Sequence, residues 1–109
     1  MKELEKNIKE VGKERPEVQA FLEFTGKLMA PSALDLKTKE LISVAIAVYI
    51  KCKYCIVTHV YNALKAGATK DEVMEAALVA VEFGGGPAMS YSVTLVSEAI
   101  KEFANEFES

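Results

Sequence analysis

Apolar residues recur at intervals of three or four along almost the whole chain, which is the spacing that places them on one face of an α-helix. Leu4, Ile8 and Val11 mark the first of these faces. Nowhere do four or more residues alternate between apolar and polar as convincingly as the residues of a half-buried β-strand would. The pattern therefore predicts an all-α protein.

Proline and capping residues indicate where the first three helices begin and end. Pro16 disfavours helical geometry in the residue before it and suits the first turn of a helix. We therefore expect a first helix to stop within residues 12–15 and a second to start at Pro16. The second helix should end before the loop of residues 30–33. Asp35 is a good N-cap for a third helix, which we expect to run to about Ile50.

Glycine and a capping box indicate the boundaries of the next two helices. A fourth helix is expected over residues 51–66, closed by Gly67 in the left-handed conformation that glycine adopts readily. Thr69 and Glu72 have the spacing of a capping box, which would open a fifth helix reaching Phe83. A short turn would therefore join these two helices.

A glycine-rich segment at residues 84–87 is expected to break the chain before a last helix over residues 88–107. The segment does not follow a strand, as a phosphate-binding loop would, so we interpret it as a flexible connection and expect no cofactor. No internal repeat, low-complexity tract or long linker divides the chain. We therefore expect residues 1–109 to form one domain of about six helices.

The third predicted helix is unusual because residues 41–50 contain one polar residue, Ser43. A helix that is apolar on all sides is expected to be buried on all sides, either by the other helices or by a neighbouring subunit. A second long apolar stripe, from Tyr91 to Phe107, also requires cover. One chain offers so few helices for this that we predict an obligate homo-oligomer.

Composition and charge exclude several classes of partner. The chain has 109 residues, 27% of them charged, a formal net charge of −3 and no basic run, which argues against binding to nucleic acid or anionic membranes. Its longest apolar run is about half the length of a membrane span, and its first residues lack the apolar stretch of a signal peptide. We therefore predict a cytoplasmic protein, in which closely spaced cysteines indicate redox chemistry or metal binding.

Candidate chemistry is concentrated in residues 52–59, which contain both cysteines and the single histidine of the chain. On a helix, Cys52 and Cys55 are three residues apart and His59 follows Cys55 by four, so the three side chains form one column. A position in the first helical turn favours a thiolate at Cys52, and His59 can take the proton of Cys55. We predict a reversible Cys52–Cys55 disulfide, with Cys55 as the attacking thiol and Cys52 as its resolving partner.

Glu40 is the fourth candidate. If the chain reverses near residues 50–51, Glu40 lies ten residues before the turn and His59 nine after it, which brings them level. A carboxylate at this place would orient the imidazole and stabilise its protonated form, as the acid of a catalytic triad does. The alternative is an ordinary acidic residue in the first turn of a helix, stabilised by the helix dipole.

Two other interpretations use the same residues differently. In the first, zinc is bound by Cys52, Cys55 and His59, with Glu40 or water as the fourth ligand that structural zinc requires. In the second, the chain is a helical assembly protein without chemistry, and the cysteines are inert core residues. Tyr54, between the cysteines, is expected to serve packing rather than substrate access.

The spacing of these residues resembles a known family. Glu40 is followed after eleven residues by Cys52-x-x-Cys55-x-x-x-His59, with L-D-L-K-T-K-E-L-I before the cysteines and A-L-K-A-G-A-T-K-D-E-V after them. This arrangement, covering roughly residues 30–100, resembles the carboxymuconolactone decarboxylase family, and within it the alkylhydroperoxidase D-like branch. The resemblance implies an all-helical homo-oligomer, a trimer or hexamer, and for so short a chain we expect the hexamer.

The resemblance also implies an activity. In that branch the two cysteines cycle between dithiol and disulfide while the glutamate and histidine relay protons, which here implies catalytic roles for Glu40, Cys52, Cys55 and His59. The implied substrate is a hydroperoxide or a disulfide, and the implied redox partner is a peroxiredoxin or a lipoyl-bearing protein. Tyr54 stands where the mycobacterial-type enzyme has a second histidine. Lactone decarboxylases of the family generally lack the cysteine pair, so decarboxylation is the weaker expectation.

Overall fold

The computed structural model describes residues 2–107 of the chain. These residues form six α-helices and one π-helical turn, and no β-strand is present among them. The elements are α1 (Lys2–Glu14), α2 (Pro16–Met29), α3 (Leu36–Tyr49), α4 (Lys53–Lys65), α5 (Lys70–Tyr91), the π turn (Ser92–Val96) and α6 (Ser97–Phe107). The predicted all-α class with about six helices is confirmed.

The residues that the sequence marks as helix boundaries act as expected. Pro16 occupies the first turn of α2, directly after α1 has ended. The carboxylate of Asp35 accepts a hydrogen bond of 2.7 Å from the amide of Thr38 at the start of α3. At the start of α5 the Thr69 hydroxyl accepts from the Glu72 amide at 3.0 Å, and the Glu72 carboxylate accepts from the Thr69 amide at 2.9 Å. These bonds satisfy amides that a helix cannot pair internally.

The segment after residue 83 breaks the helix where predicted, but it differs from the prediction in form. In place of the expected loop at residues 84–87, the structure has a kink inside α5. Gly85 has the non-helical dihedral angles φ 64° and ψ −142°, and the residues before and after it are helical. Pro87 has no amide hydrogen to continue the ladder, and glycine adopts this positive φ without steric cost. The expected single helix over residues 88–107 is also interrupted, by the π turn. The hydroxyl of the buried Ser92 donates to the Ala88 carbonyl at 2.9 Å there.

Helices α3 to α6, which we call the body, enclose the hydrophobic core. Helix α3 packs on α4 and α5, and α4 packs on α6. Aromatic contacts close one end, where the Tyr61 ring meets Phe103 edge to face at 5.1 Å between centroids and Phe107 at 5.3 Å. The largest fully buried side chains are Val44, Val48, Ile56, Val60, Ser92, Val96 and Val73.

Helices α1 and α2, which we call the hairpin, pack on each other and touch the body mainly at its start. The ammonium group of Lys39 on α3 donates to the carbonyls of Leu28 and Ala30, at 2.7 and 2.8 Å, and so caps the end of α2. No residue of α2 is buried. Phe21 and Phe24 retain 66% and 58% of their exposure.

The apolar sequence of α3 predicts burial on all sides, but the structure buries only one side of this helix. Val44 and Val48 face the core, while Ile46, Tyr49 and Ile50 are about half exposed or more. The expectation of complete burial by the other helices is therefore wrong for this protomer, because α4 and α5 cover α3 from the core side only. Cover by a neighbouring subunit stays a prediction. Among residues 2–107 no helix combines the length and the apolar character needed to cross a membrane.

Candidate active site

The chain reverses between α3 and α4, as the predicted site requires. Lys51 adopts a left-handed conformation with φ 58° directly after α3 ends. Its amide bonds to the Val48 carbonyl at 3.2 Å, and the Cys52 amide bonds to the Ala47 carbonyl at 3.0 Å. This pair of bonds is the Schellman motif, which closes the last turn of a helix. The reversal sends α4 back along α3, and residues of the two helices meet side by side.

Cys52 lies at the N-cap of α4, one position before its first residue. The expectation that Cys52 lies inside the first turn is therefore off by one residue, because the Schellman motif extends through the Cys52 amide. The sulfur of Cys52 accepts a hydrogen bond of 3.2 Å from the Cys55 amide. The two cysteines are disulfide-bonded across a Cα–Cα distance of 5.2 Å, a typical separation for a bridge.

Glu40 and His59 meet across α3 and α4. The Oε1 atom of Glu40 lies 2.7 Å from the Nδ1 atom of His59. Glu40 is 4% exposed, and a carboxylate so deeply buried requires a hydrogen-bonding partner to offset its lost hydration. The imidazole is that partner, and the predicted juxtaposition of the two residues is confirmed. Whether they act in catalysis is a separate prediction.

The hydrogen bond to Glu40 defines how the imidazole can exchange protons. When Nδ1 donates to the carboxylate, the neutral ring presents the unprotonated Nε2 atom as an acceptor. The side chain of His59 is 28% exposed, so this edge of the ring is accessible. If the ring gains a proton at Nε2, the buried carboxylate stabilises the resulting charge. The pair therefore has the arrangement of a general base with an orienting acid.

A shallow cavity of about 140 Å³ opens over the site. It is lined by Ser43, Ile46, Ala47, Ile50, Cys55 and His59. A cavity of this size has room for a few water molecules, at about 30 Å³ each, or for the reactive end of a small substrate. Cys55 and His59 share this cavity, whereas Cys52 does not line it. The isoleucines give it an apolar wall that limits hydration of the reacting groups.

Ser43 is a site residue that the sequence analysis does not predict. Ser43 lines the cavity, and its hydroxyl donates to the Lys39 carbonyl at 2.8 Å, which leaves the oxygen lone pairs able to accept a further hydrogen bond. The signal was available, because Ser43 is the single polar residue within residues 41–50. A lone hydroxyl on an otherwise apolar helix has a reason to face a cavity.

Tyr54 differs from its predicted role. Its side chain lies between the cysteines in sequence and is 71% exposed, so it does not pack into the core of this protomer. The zinc interpretation also finds no supporting geometry. Among residues 2–107, no three side chains of His, Cys, Asp or Glu are grouped closely enough to hold a metal ion.

The fold and the site together define a class: an all-helical protein with a redox-capable cysteine pair beside a buried carboxylate–imidazole pair. The carboxymuconolactone decarboxylase family matches the chain over residues 16–98. The chain belongs to this family.

The chain is similar to one uncharacterized protein and to two family members of known structure. An uncharacterized protein from the cox locus of Paracoccus denitrificans is 42% identical over 73 residues, which is 67% of this chain and 66%, just under two thirds, of that protein. A family member from Legionella pneumophila has the same fold with a TM-score of 0.86 at 36% identity, covering 94% of this chain and 92% of that one. A family member from Thermotoga maritima, for which an antioxidative role has been suggested, gives a TM-score of 0.70 at 26% identity, covering 84% and 97%.

Proposed function

We propose that this protein is a dithiol–disulfide oxidoreductase that reduces hydroperoxides or disulfides. The observation that carries the proposal is the cysteine pair, 5.2 Å apart between Cα atoms, on the same helix as His59, whose ring Glu40 holds at 2.7 Å. The antioxidative role suggested for the Thermotoga relative supports the same chemistry. We place the protein in the cytoplasm, where thiols are kept reduced.

The reaction begins from the reduced pair. The Nε2 atom of His59 takes the thiol proton of Cys55, and the Cys55 thiolate attacks one oxygen of a hydroperoxide. The O–O bond breaks, the alkoxide leaves with the proton from His59 as an alcohol, and Cys55 becomes a sulfenic acid. The thiol of Cys52 then attacks the Cys55 sulfur, which forms the disulfide and releases water. Two thiols and one hydroperoxide thus yield one disulfide, one alcohol and one water.

A disulfide substrate follows the same course without oxygen chemistry. The Cys55 thiolate attacks one sulfur of the substrate, forms a mixed disulfide and releases the first thiol. Cys52 attacks the Cys55 sulfur, closes the protein disulfide and releases the second thiol. A peroxiredoxin or a lipoyl-bearing protein is the redox partner that we propose for the cysteine pair.

The assignment of Cys55 as the attacking thiol rests on the cavity. Cys55 and His59 line it together, whereas the sulfur of Cys52 is occupied by the amide of Cys55 at 3.2 Å. Alkylation rates near pH 7 test the assignment. We expect the thiol that remains in Cys52→Ser to react faster than the thiol that remains in Cys55→Ser, and the opposite order would reverse the roles.

Mass spectrometry tests the proposed function directly. The reduced protein, freed of reductant, is treated with one equivalent of cumene hydroperoxide or of bis(2-hydroxyethyl) disulfide. We expect the intact mass to fall by two hydrogens as one equivalent of alcohol or two of thiol are released. Cys52→Ser is the matched control and should stop at the sulfenic acid or the mixed disulfide. Formation of sulfonic acids on separate cysteines, with no disulfide at any dose, would contradict the proposal.

We also propose that the working form is a homo-oligomer, with a hexamer as the expected state. The exposed apolar side chains of α2, α3 and α5 lie outside the core of the protomer. Together they expose on the order of 1,000 Å², comparable with the roughly 800 Å² that each partner buries in a standard interface. Ile46 on α3 and the exposed Ile50, which directly follows α3, also line the site cavity, so a second copy seated there would narrow the cavity above Cys55.

A further inference from the structure

Two helices of this protein end in the same backbone motif but with different residues at its left-handed position. At the end of α4 this position is Gly67, with φ 100°, and at the end of α3 it is Lys51, with φ 58°. In both motifs the amides of this residue and of the next one bond back to the preceding turn. Lys51 is the one residue other than glycine with a positive φ among the described residues.

The backbone does not favour a lysine on either side of Cys52. Glycine adopts the conformation of Lys51 without the steric conflict that a Cβ atom introduces. Lys53 begins α4, where the positive end of the helix dipole disfavours a cation. Helix α5 also begins with a lysine, Lys70, but Asp71 and Glu72 follow it in the first turn, as the dipole favours, whereas the first turn of α4 holds no acidic residue. Only the negative end of α3 favours the charge of Lys51, and it does not account for Lys53.

Neither lysine is explained by an interaction within the protomer. Both side chains are exposed, and across residues 2–107 neither ammonium group takes part in a hydrogen bond or an ion pair. Other lysines of the same region do have partners. Lys37 pairs with Glu72 at 3.3 Å, and Lys39 caps the end of α2. In a chain of net charge −3, two unpaired cations therefore flank Cys52, the disulfide partner of the attacking Cys55.

We propose that Lys51 and Lys53 form a cationic rim that selects disulfide substrates with carboxylate or other anionic groups near the sulfur–sulfur bond. This inference rests on the proposed oxidoreductase function and names its substrate class. Local positive charge raises the concentration of an anionic substrate at the site and guides its approach. It also stabilises the thiolate that leaves when a protein thiolate attacks the substrate. In the complete reaction the two protein thiols become a disulfide, and the substrate disulfide becomes two thiols.

Three small disulfides of similar length but different charge test the proposal. They are 3,3′-dithiodipropionate, which is anionic, bis(2-hydroxyethyl) disulfide, which is neutral, and cystamine, which is cationic. The second-order rate of oxidation of the reduced protein is measured at low ionic strength. We expect the anionic compound to react fastest and cystamine slowest. Added salt should bring the three rates together, because it screens exposed charges over about 10 Å at 0.1 M.

Variants assign the selectivity to the two lysines. In the double variant Lys51→Met/Lys53→Met, the ratio of the anionic to the neutral rate should fall about tenfold. The matched control is Lys65→Met, an exposed lysine about 18 Å along α4 from Lys53 at 1.5 Å per residue, which should preserve the ratio. Lys51→Gly separates charge from fold. This variant should keep or raise the thermal stability and should lower the ratio of the anionic to the neutral rate. If Lys51 had a purely structural role, the ratio of rates would not change.

Three outcomes would overturn the proposal. One is equal wild-type rates for all three compounds. A second is an equal loss of rate toward all three in the double variant, which would mean that the lysines act on the protein thiols and not on the substrate. The third is failure of every disulfide to oxidise the wild-type protein. If cumene hydroperoxide still forms the protein disulfide in that case, this inference fails alone, and if it does not, the proposed function fails too.

Discussion

The body and the hairpin carry similar helical patterns of apolar residues but bury them very differently. All the fully buried side chains belong to the body, whereas no residue of α2 is buried and its phenylalanines are mostly exposed. The radius of gyration, 14.2 Å, exceeds the roughly 13 Å of a compact chain of this length, as an extended hairpin would cause. An apolar stripe thus indicates that a helix has a face to bury, but not whether the same chain buries it.

The residues of the candidate active site belong to the body and not to the hairpin. Glu40, the cysteine pair and His59 all lie in the body or at the turn within it. The hairpin reaches this region through Lys39, which belongs to the same helix as Glu40 and binds the end of α2. We therefore expect chemistry to depend on the body and assembly to depend on the hairpin, and substitutions in each region can separate the two.

The largest effect is expected at the carboxylate–imidazole pair of the body. Glu40→Gln and His59→Ala should each slow turnover by roughly 10²- to 10⁴-fold with the helical content preserved, because general-base catalysis contributes effects of this size. The losses should not multiply in the double variant, since the two groups act as one unit. Lys9→Ala, on the exposed surface of α1, is the control in the hairpin and should keep full activity. A double variant slowed by the product of both single effects would show that the residues act independently.

Stability provides the second comparison between the regions. Ile56 is fully buried, so Ile56→Ala should lower the free energy of unfolding by about 2–5 kcal/mol. Phe24 is 58% exposed. Phe24→Ala should therefore change the free energy of unfolding of the dilute, dissociated protomer by less than about 0.5 kcal/mol. Urea denaturation followed by circular dichroism measures both. A cost for Phe24→Ala as large as that for Ile56→Ala, independent of protein concentration, would contradict the view that α2 buries no side chain within the protomer.

Assembly is the third comparison, and here the hairpin should matter more. Phe21 and Phe24 stack at 6.4 Å between ring centroids on the exposed face of α2. Phe21→Asp/Phe24→Asp should weaken association by roughly 10- to 100-fold, as expected from removing a buried aromatic anchor of an interface. The control is Glu23→Ala, because Glu23 lies between the two phenylalanines in sequence and is also exposed. This variant should leave the mass of the oligomer unchanged. Light scattering over a dilution series gives the mass, and a fully active wild-type monomer at every concentration would refute the assembly.

Much of this arrangement is predictable from sequence because it depends on local chemistry. Pro16, Asp35 and the Thr69–Glu72 box act within a turn of their own position, and the reversal that aligns Glu40 with His59 follows from counting residues. The break at residues 84–87 is likewise predictable from Gly85 and Pro87, although its form, a kink within one helix, is not. The π turn at Ser92 is not predicted, because the buried Ser92 hydroxyl contacts carbonyls of α5 that include one fifteen residues away. The exposure of Tyr54 and of the outer face of α3 is not predictable either. Apolar periodicity shows that a helix has a face to bury, but not which helix or subunit packs against that face.

The smallest expected effect concerns the pH dependence of a cap that lies where the hairpin joins the body. Hydrogen bonds from Thr38 lower the pKa of Asp35 from its usual 3.8. A carboxyl group with a lower pKa in the folded state contributes stability that is fully present above the unfolded pKa and is lost as the pH falls through the folded one. The melting temperature of the wild type should therefore exceed that of Asp35→Asn at pH 6, and the difference should narrow as the pH falls below about 4 and close only below the folded pKa.

A matched acid in the hairpin sharpens this last test. Hydrogen bonds from its own backbone and from Arg15 lower the pKa of Glu17 in the same direction. Because α2 buries no residue, we expect the hairpin to open locally before the body unfolds. The hydrogen bonds of Glu17 then contribute little to the free energy of unfolding of the body. Glu17→Gln should therefore shift the main melting transition less than Asp35→Asn at pH 6. An equal shift for the two variants would mean that hairpin and body unfold as one cooperative unit even in the separated protomer.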